Sequence, residues 1–276
     1  MGDSGLEAMP RAQRWQELLR IVAEQGSLSV PDAATALHAS EATIRRDFAR
    51  LAEEQLVTRT HGGVVATALA YALPGRQDRD LAHAVNLIAV TAAAQVGPGQ
   101  VVGLSGRRTA IAVARQLGGR RDLADPRHRD QTVTVVTNTL TIATDLVLRP
   151  HLSTVCLGGV ARAGSVQLTG SITLHALENY WLDLLFLDVD GLHPDAGVTA
   201  ADGDDAMVWT KMVRRAQTVV TVVSGSRIGR RALAHVCPLS DVDRLITDTT
   251  ADESVLAELR GAGVRVHVVD ATARTA

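Results

Sequence analysis

The chain has 276 residues, 46% of them hydrophobic, with 28 Lys and Arg against 30 Asp and Glu for a formal charge of −2. Length and apolar content allow about two domains with sizeable cores. The near-neutral balance excludes a protein that coats nucleic acid nonspecifically, so any DNA affinity has to be local.

In chain order, the first ten or so residues are expected to be disordered. Trp15, Leu18, Leu19 and Val22 then recur at helical spacing over residues 11 to 25, with Gly26 as a stop signal. Ser29 and Pro31 open a second short helix holding Ala33, Ala34 and Leu37, and only His38 and Ala39 separate it from Ser40. Ser40 can accept from an unpaired amide of the next helical turn, and Ile44, Phe48 and Leu51 at i, i+4 and i+7 give that helix one buried face. Ala42, Thr43, Arg45, Arg46, Ala49 and Arg50 then point outward, small residues and guanidinium groups able to approach a duplex and grip phosphates or guanine edges. Leu56 to His61 alternates as a strand does, Gly62-Gly63 permits a tight turn, and Arg59 and His61 fall on the resulting wing. The order is helix, short helix, tight turn, recognition helix, wing.

Through position 61 there are seven arginines against nine acidic residues, so this N-terminal domain is not basic as a whole. Dimerisation, which doubles the phosphate contacts, is the physical way for so small a basic patch to bind tightly. The domain is expected over residues 1–66, followed by a connection over 67–80 that is broken at Pro74-Gly75.

From Leu81 the pattern alternates helix and strand. Candidate strands are Val101 to Leu104, Thr132 to Thr137, Thr154 to Leu157, Leu184 to Val189, Val219 to Val223, Leu245 to Thr247 and Val264 to Val269. Short continuous apolar runs of this kind are strands buried on both faces, and the helical stretches between them supply right-handed crossovers. Residues 81–276 are therefore expected to form a Rossmann-like open parallel-sheet α/β domain, with ligands bound beyond the carboxyl ends of its strands. Those ends carry Ser105-Gly106-Arg107-Arg108-Thr109, Thr137-Asn138-Thr139, Gly158-Gly159, Asp190-Gly191 and Ser224-Gly225-Ser226-Arg227. Hydroxyls and amides at helix starts make a phosphate cradle that a nearby arginine strengthens. Each loop taken alone is equally an ordinary strand-to-helix turn, which needs Gly, Ser and Asn for backbone reasons.

Cys156 and Cys237 follow no metal-ligand spacing and sit in apolar surroundings, which reads as two buried structural thiols. Neither a metal nor a cofactor is expected. No apolar run reaches the roughly 18 residues that span a bilayer, and the start lacks a signal pattern, so a cytoplasmic location is expected. The one lysine, Lys211, reads as solvent-facing on a helix, with Asp202, Asp204 and Asp205 ahead of it where the helix dipole favours them. Without a paired base and polariser, catalysis is not expected.

Thr-Ile-Arg-Arg-Asp (Thr43 to Asp47), followed by Arg-Thr-His-Gly-Gly (Arg59 to Gly63), resembles the N-terminal winged helix-turn-helix of DeoR-type bacterial transcriptional regulators. Thr-Asn-Thr-Leu (Thr137 to Leu140), Leu157 to Arg162, the run Asp183 to Gly191 and Leu245 to Asp248 are similar to the sensor domain of the same family. The resemblance implies a double-stranded DNA operator as partner, contacted by Thr43, Arg45 and Arg46 on the recognition helix and by Arg59 and His61 near the backbone or minor groove. Ser40, Ala42 and Arg50 complete the expected reading surface. It also implies a fold related to sugar-phosphate isomerases, a phosphorylated small-molecule effector, and a homo-oligomer, dimer or tetramer. By resemblance, Ser105 to Thr109 and Asn138 hold phosphate, Asp190, Gly191 and Arg227 face the sugar, and Gly158 and Gly159 belong to the same set of loops.

The departures are specific. The family's Asp before Ser-Gly-Thr-Thr is replaced by Leu104-Ser105-Gly106-Arg107-Arg108-Thr109, its Asp-Ser-Ser-Lys by Ser224 to Arg227, and its Glu-Lys before the first sensor helix by Ala84-Val85. Arg107 and Arg108 either bind a more highly charged effector through bidentate contacts or fill the pocket so that no sugar enters. In the second case the protein is a DNA-binding oligomer with a ligand-free sensor domain.

Overall fold

A computed structural model describes residues 10–53, 56–66, 79–123, 132–162 and 165–270. The chain divides between Leu73 and Pro74 into two compact units. The expected disordered start, apart from Pro10, and most of the expected connection lie outside the described residues.

The first unit runs α1 (Arg11–Gln25), β1 (Ser27–Ser29), α2 (Val30–Ala36), α3 (Glu41–Glu53), β2 (Val57–Thr60) and β3 (Gly63–Ala66). Gly26 ends α1 at φ 79°, its amide donating to Val22 O. The Ser29 hydroxyl accepts from Asp32 N to start α2, and His38, at φ 48°, turns the chain toward α3. Ser40 Oγ accepts from Thr43 N at 3.2 Å, the cap expected from the sequence. Ile44, Phe48 and Leu51 pack with Leu18 and Val22 of α1, Leu37 beyond α2, and Val57 and Val64 of the wing. Each such side chain stabilises the unit by about 1.5–3 kcal/mol.

The wing differs from expectation in one respect. The strand Ser27–Ser29 joins it, pairing antiparallel with β3 so that Ser29 faces Gly63, while β2 pairs with β3 on the other side. The turn falls at His61 and Gly62. Gly63 therefore serves close approach rather than turn geometry: a Cβ there would collide with the Leu28 carbonyl of β1.

The second unit opens with α4 (Arg79–Ala93), which begins inside the stretch expected as connection. There follow β4 (Val101–Ser105), α5 (Arg108–Gly119), β5 (Val133–Thr137), α6 (Leu140–Leu146), β6 (Leu152–Cys156), β7 (Val160–Ala161), β8 (Leu168–Thr169) and α7 (Ser171–Ala176). The chain continues through β9 (Leu182–Leu187), β10 (Gly191–His193), β11 (Gly197–Ala200), α8 (Gly203–Arg215), β12 (Ala216–Val222), β13 (Ala234–Cys237), β14 (Arg244–Asp248), α9 (Glu253–Gly261) and β15 (Arg265–Val269). All seven expected strands pair in one sheet in the order β15-β14-β12-β9-β4-β5-β6, and every pairing is parallel. Side chains alternate between two cores. Leu184 and Phe186 of β9 pack with α4 and α5, whereas Leu185 and Leu187 pack with α8 and α9.

Two small antiparallel sheets, β7-β8 and β10-β11-β13, were not expected. They correct two loops: Gly158-Gly159 leads into β7 and Asp190-Gly191 into β10, so neither opens a helix. Cys237 is buried but Cys156 is exposed at the end of the edge strand β6, correcting the reading of both thiols as buried. Burial, then the charge of Asp241, pushes the Cys237 thiol up to about 12. Lys211 is not simply solvent-facing, since its Nζ lies 2.9 Å from Glu178 Oε1. Among the described residues no helix is long and apolar enough to cross a membrane.

Candidate functional site

In the first unit the exposed face of α3 presents Ala42, Arg45, Arg46 and Arg50, with Thr43 half-buried, and Arg59 and His61 are exposed on the wing. These side chains are not all idle. Ser40 Oγ lies 2.9 Å from Thr43 Oγ1, Arg45 pairs with Glu41 at 2.8 Å, and Arg46 Nε donates to Ala42 O at 3.2 Å. A helix that reads DNA has to be held, and the residue that holds it escaped sequence reasoning. Asp47, buried on the inner face of α3, accepts from Arg14 Nε at 2.5 Å and Trp15 Nε1 at 2.9 Å, tying α3 to α1. Burial opposes its ionisation, but the hydrogen bonds from Arg14 and Trp15 and the charges of Arg14 and Arg11 outweigh it and hold the carboxyl below its usual range. Its sequence signals were its place at the end of the family-like run Thr43 to Asp47 and an acid at i+3 from Ile44, next to Phe48 on the apolar face.

In the second unit the chain leaves β4 for β5 and β6 on one side, then crosses back to β9 on the other. The order reverses at β4 and β9, and the crevice beyond their carboxyl ends is where such sheets take ligands. Ser105 lies there, but at its buried base. Its Oγ donates to Asn138 Oδ1 at 2.6 Å and accepts from Trp209 Nε1 at 2.9 Å. Asn138 Nδ2 donates in turn to Leu168 O at 3.0 Å. Both side chains are fully buried and hydrogen-bonded to one another, and neither lines the cavity described below.

Gly106 (φ 124°) is drawn against β9: a Cβ would stand 2.5 Å from Asp188 Cβ. The Asp188 carboxylate, which the sequence placed within the family-like run Asp183 to Gly191 without a role of its own, accepts from Thr109 N at 2.8 Å and lies 3.2 Å from Arg227 Nη1. Arg227 also donates to Val189 O at 2.7 Å and stands 3.8 Å from Asp190. Burial pushes the Asp188 carboxyl above its usual range, against the pull of Arg227 and Thr109 and helped by the charge of Asp190. Arg227, Asp190 and the Gly106 to Thr109 loop are therefore gathered around one buried acid.

A cavity of about 70 Å³ opens beside this cluster, lined by Arg107, Arg162, Ser165, Gln167, Thr169, Asp202 and Asp205. Of the residues expected from sequence, Arg107 is in its wall. Arg107 stands 3.9 Å from Asp205, and Arg162 pairs with Asp202 at 2.9 Å and with Asp204. Burial and the charge of Asp202 push the Asp205 carboxyl up, opposed by Arg107. Arg108 begins α5 and is half-buried. Gly159 and Gly191 have packing reasons to be glycine, since Cβ atoms there would strike Thr173 and the Arg230 carbonyl, whereas at Gly158 a Cβ would meet only the exposed side chain of Ile172.

Comparison with known proteins agrees with this architecture in both units. Residues 14–68 match the DeoR-like helix-turn-helix domain and residues 82–249 the DeoR C terminal sensor domain. The HTH-type transcriptional regulator GlpR of Haloferax volcanii is 31% identical over 95% of this chain and 99% of its own. The uncharacterized HTH-type transcriptional regulator YulB of Bacillus subtilis is 27% identical over 95% of this chain and 98% of its own. The glycerol-3-phosphate regulon repressor of Escherichia coli is 27% identical over 91% of this chain and 96% of its own. A capped, outward-facing helix beside a wing, carried on the same chain as a seven-stranded parallel sheet, thus has full-length counterparts, and the chain belongs to the DeoR family of helix-turn-helix transcriptional regulators.

Proposed function

We propose that the protein is a repressor that holds a double-stranded DNA operator with α3 and the wing and is controlled by a phosphorylated small molecule received at the carboxyl ends of β4, β5 and β9. The observation that carries the reading is the outer face of α3, where Ala42, Thr43, Arg45, Arg46 and Arg50 stand on a helix whose inner face is locked by Asp47. The repressor sense is supported by relatives, one of which is a glycerol-3-phosphate regulon repressor. Arg107 and Arg162, both in the wall of the cavity, are the groups we assign to the effector phosphate, because planar guanidinium forks match it bidentately. A homo-oligomer, dimer or tetramer, pairs the reading heads on an operator of matching symmetry. No catalytic step is assigned.

In this mechanism an effector that binds one arrangement of the paired heads better than the other shifts their population and with it operator occupancy. A mobility-shift assay on the protein's own upstream region, run with a panel of sugar phosphates, tests it. Release by a phosphorylated compound that the Arg107→Ala, Arg162→Ala double variant no longer senses is the expected result. Retention of DNA whatever is added selects the second reading, a DNA-binding oligomer with a silent sensor domain. The cavity favours that reading to one degree: at about 70 Å³ it is far below the 300–1,000 Å³ of ordinary ligand pockets, so the arginine-carboxylate pairs must part before a sugar phosphate enters.

A further inference from the structure

We propose that Asp188 is a resident anion: its carboxylate occupies the position a ligand phosphate would take at the start of α5, and so determines which ligands this end of the sheet admits. The proposal rests on the reading of this end of the sheet as the effector site, but not on the effector's identity.

Three observations converge on the acid. Its donors are those of an anion cradle, namely the Thr109 amide at 2.8 Å, a backbone hydrogen bond from Arg107 and the Arg227 guanidinium at 3.2 Å. Arg107, at the N-cap of α5, supplies no side-chain cap, so the first amides of the helix are left to a group 79 residues away. Finally, the acid sits in the crevice where the strand order reverses: Ser105 pairs with Leu187, Asp188 N donates to Ser105 O at 3.0 Å, and Gly106 is glycine because its Cβ would strike Asp188. The crevice is bridged by Asp188 instead of standing open.

The amides at the start of α5 and the Arg227 guanidinium are together the donors a compact anion would use, and here the occupant is covalently attached. A phosphate cannot share those donors with a buried carboxylate of like charge. An incoming effector must place its charged group elsewhere, and Arg107 and Arg162 line the adjoining cavity.

The test is thermal denaturation and titration calorimetry of the full chain in phosphate-free buffer, with inorganic phosphate, acetate, or potassium chloride at matched ionic strength. Asp188→Ala is expected to bind phosphate with an affinity roughly tenfold or more above wild type and to gain melting temperature saturably. Adding Arg227→Ala should abolish the gain. Asp188→Asn, of the same shape but uncharged, should fall between wild type and Asp188→Ala. If Asp188→Ala is unfolded alone, restoration by phosphate or acetate but not by chloride supports the proposal equally. A variant that gains no anion affinity and is restored by neither anion overturns it and leaves Asp188 a plain structural cap. A wild-type chain that binds phosphate as tightly as Asp188→Ala, through Arg227, overturns it as well. These results are separate from operator release: a wild type deaf to every phosphorylated compound sinks the effector reading while the Asp188→Ala result stands.

Discussion

Asp47 is buried against Arg14 in the first unit and Asp188 against Arg227 in the second, and these two carboxylates end on opposite sides of their usual range. Asp47 receives Arg14 through Nε at 2.5 Å and Nη2 at 3.3 Å, with the Trp15 indole as a third donor. No acidic neighbour opposes it in the balance that lowers its pKa. Asp188 receives Arg227 at 3.2 Å and the Thr109 amide, lies deeper, and feels the charge of Asp190. A two-pronged guanidinium overcomes desolvation where a single-pronged contact beside a like charge does not. The head's acid is therefore a fastening, and the sensor's acid is an anion kept in place against its own solvation.

The largest expected effect breaks the head's side of the contrast. Asp47→Ala leaves Arg14 and the Trp15 indole without their buried acceptor, at a cost of about 3 kcal/mol. The unfolding midpoint of the head, followed by Trp15 fluorescence in a variant lacking the other tryptophans, should fall steeply and operator binding with it. An unmoved midpoint would mean that Asp47 does not hold α3. Next in size, Arg46→Ala should weaken operator binding by about 1.5 kcal/mol, near tenfold, with stability unchanged. Arg45→Ala should cost less, because Arg45 is already paired with Glu41.

A smaller effect sharpens the contrast through pH. The stability Asp47 contributes is present above the ordinary carboxylate range and is lost as pH falls through its lowered native pKa. Asp188 and Asp205 have raised native pKa values, so their contribution is present below the ordinary value and is lost as pH rises through the native one. Mild acidification from neutrality should hence relieve the sensor before it harms the head. Trp15 and Trp209, each donating its indole N–H within one of these clusters, report the two units separately. Parallel loss of both signals down to about pH 4, the ordinary carboxylate range, would contradict the assignment.

What was legible in the sequence follows the reach of each interaction. The Ser40 cap, the Gly26 stop and the Ile44, Phe48, Leu51 stripe act within one or two helical turns, and all three stand in the structure. Five of the seven parallel strands, β4, β5, β9, β12 and β14, are visible because burial on both faces forces continuous apolar runs, whereas the edge strands β6 and β15 are partly exposed. By contrast β7, β8, β10, β11 and β13 have 2–4 residues each, too few for a period to register, and so the turns after Cys156 and Asp188 were read as helix starts. The strand-end loops were found, but not that Ser105 and Asn138 are sealed beneath Trp209 and Leu168.

The sequence alone determined the two-part organisation, the seven strands of the main sheet, the outward face of α3 and the membership of a regulator family, because these depend on local periodicity, caps and contiguous motifs. Only the tertiary structure decided which charges meet. Arg14 reaches Asp47 across 33 positions, Thr109 reaches Asp188 across 79 and Trp209 reaches Ser105 across 104. Such pairs carry no periodic signature, since the partner of a buried carboxylate is set by the strand order and packing that bring distant segments together. Asp188 in particular reads in the chain only as part of the family-like run Asp183 to Gly191, with no partner indicated. It becomes the occupant of an anion site only when the reversal of strand order at β4 and β9 lays it against the first amides of α5.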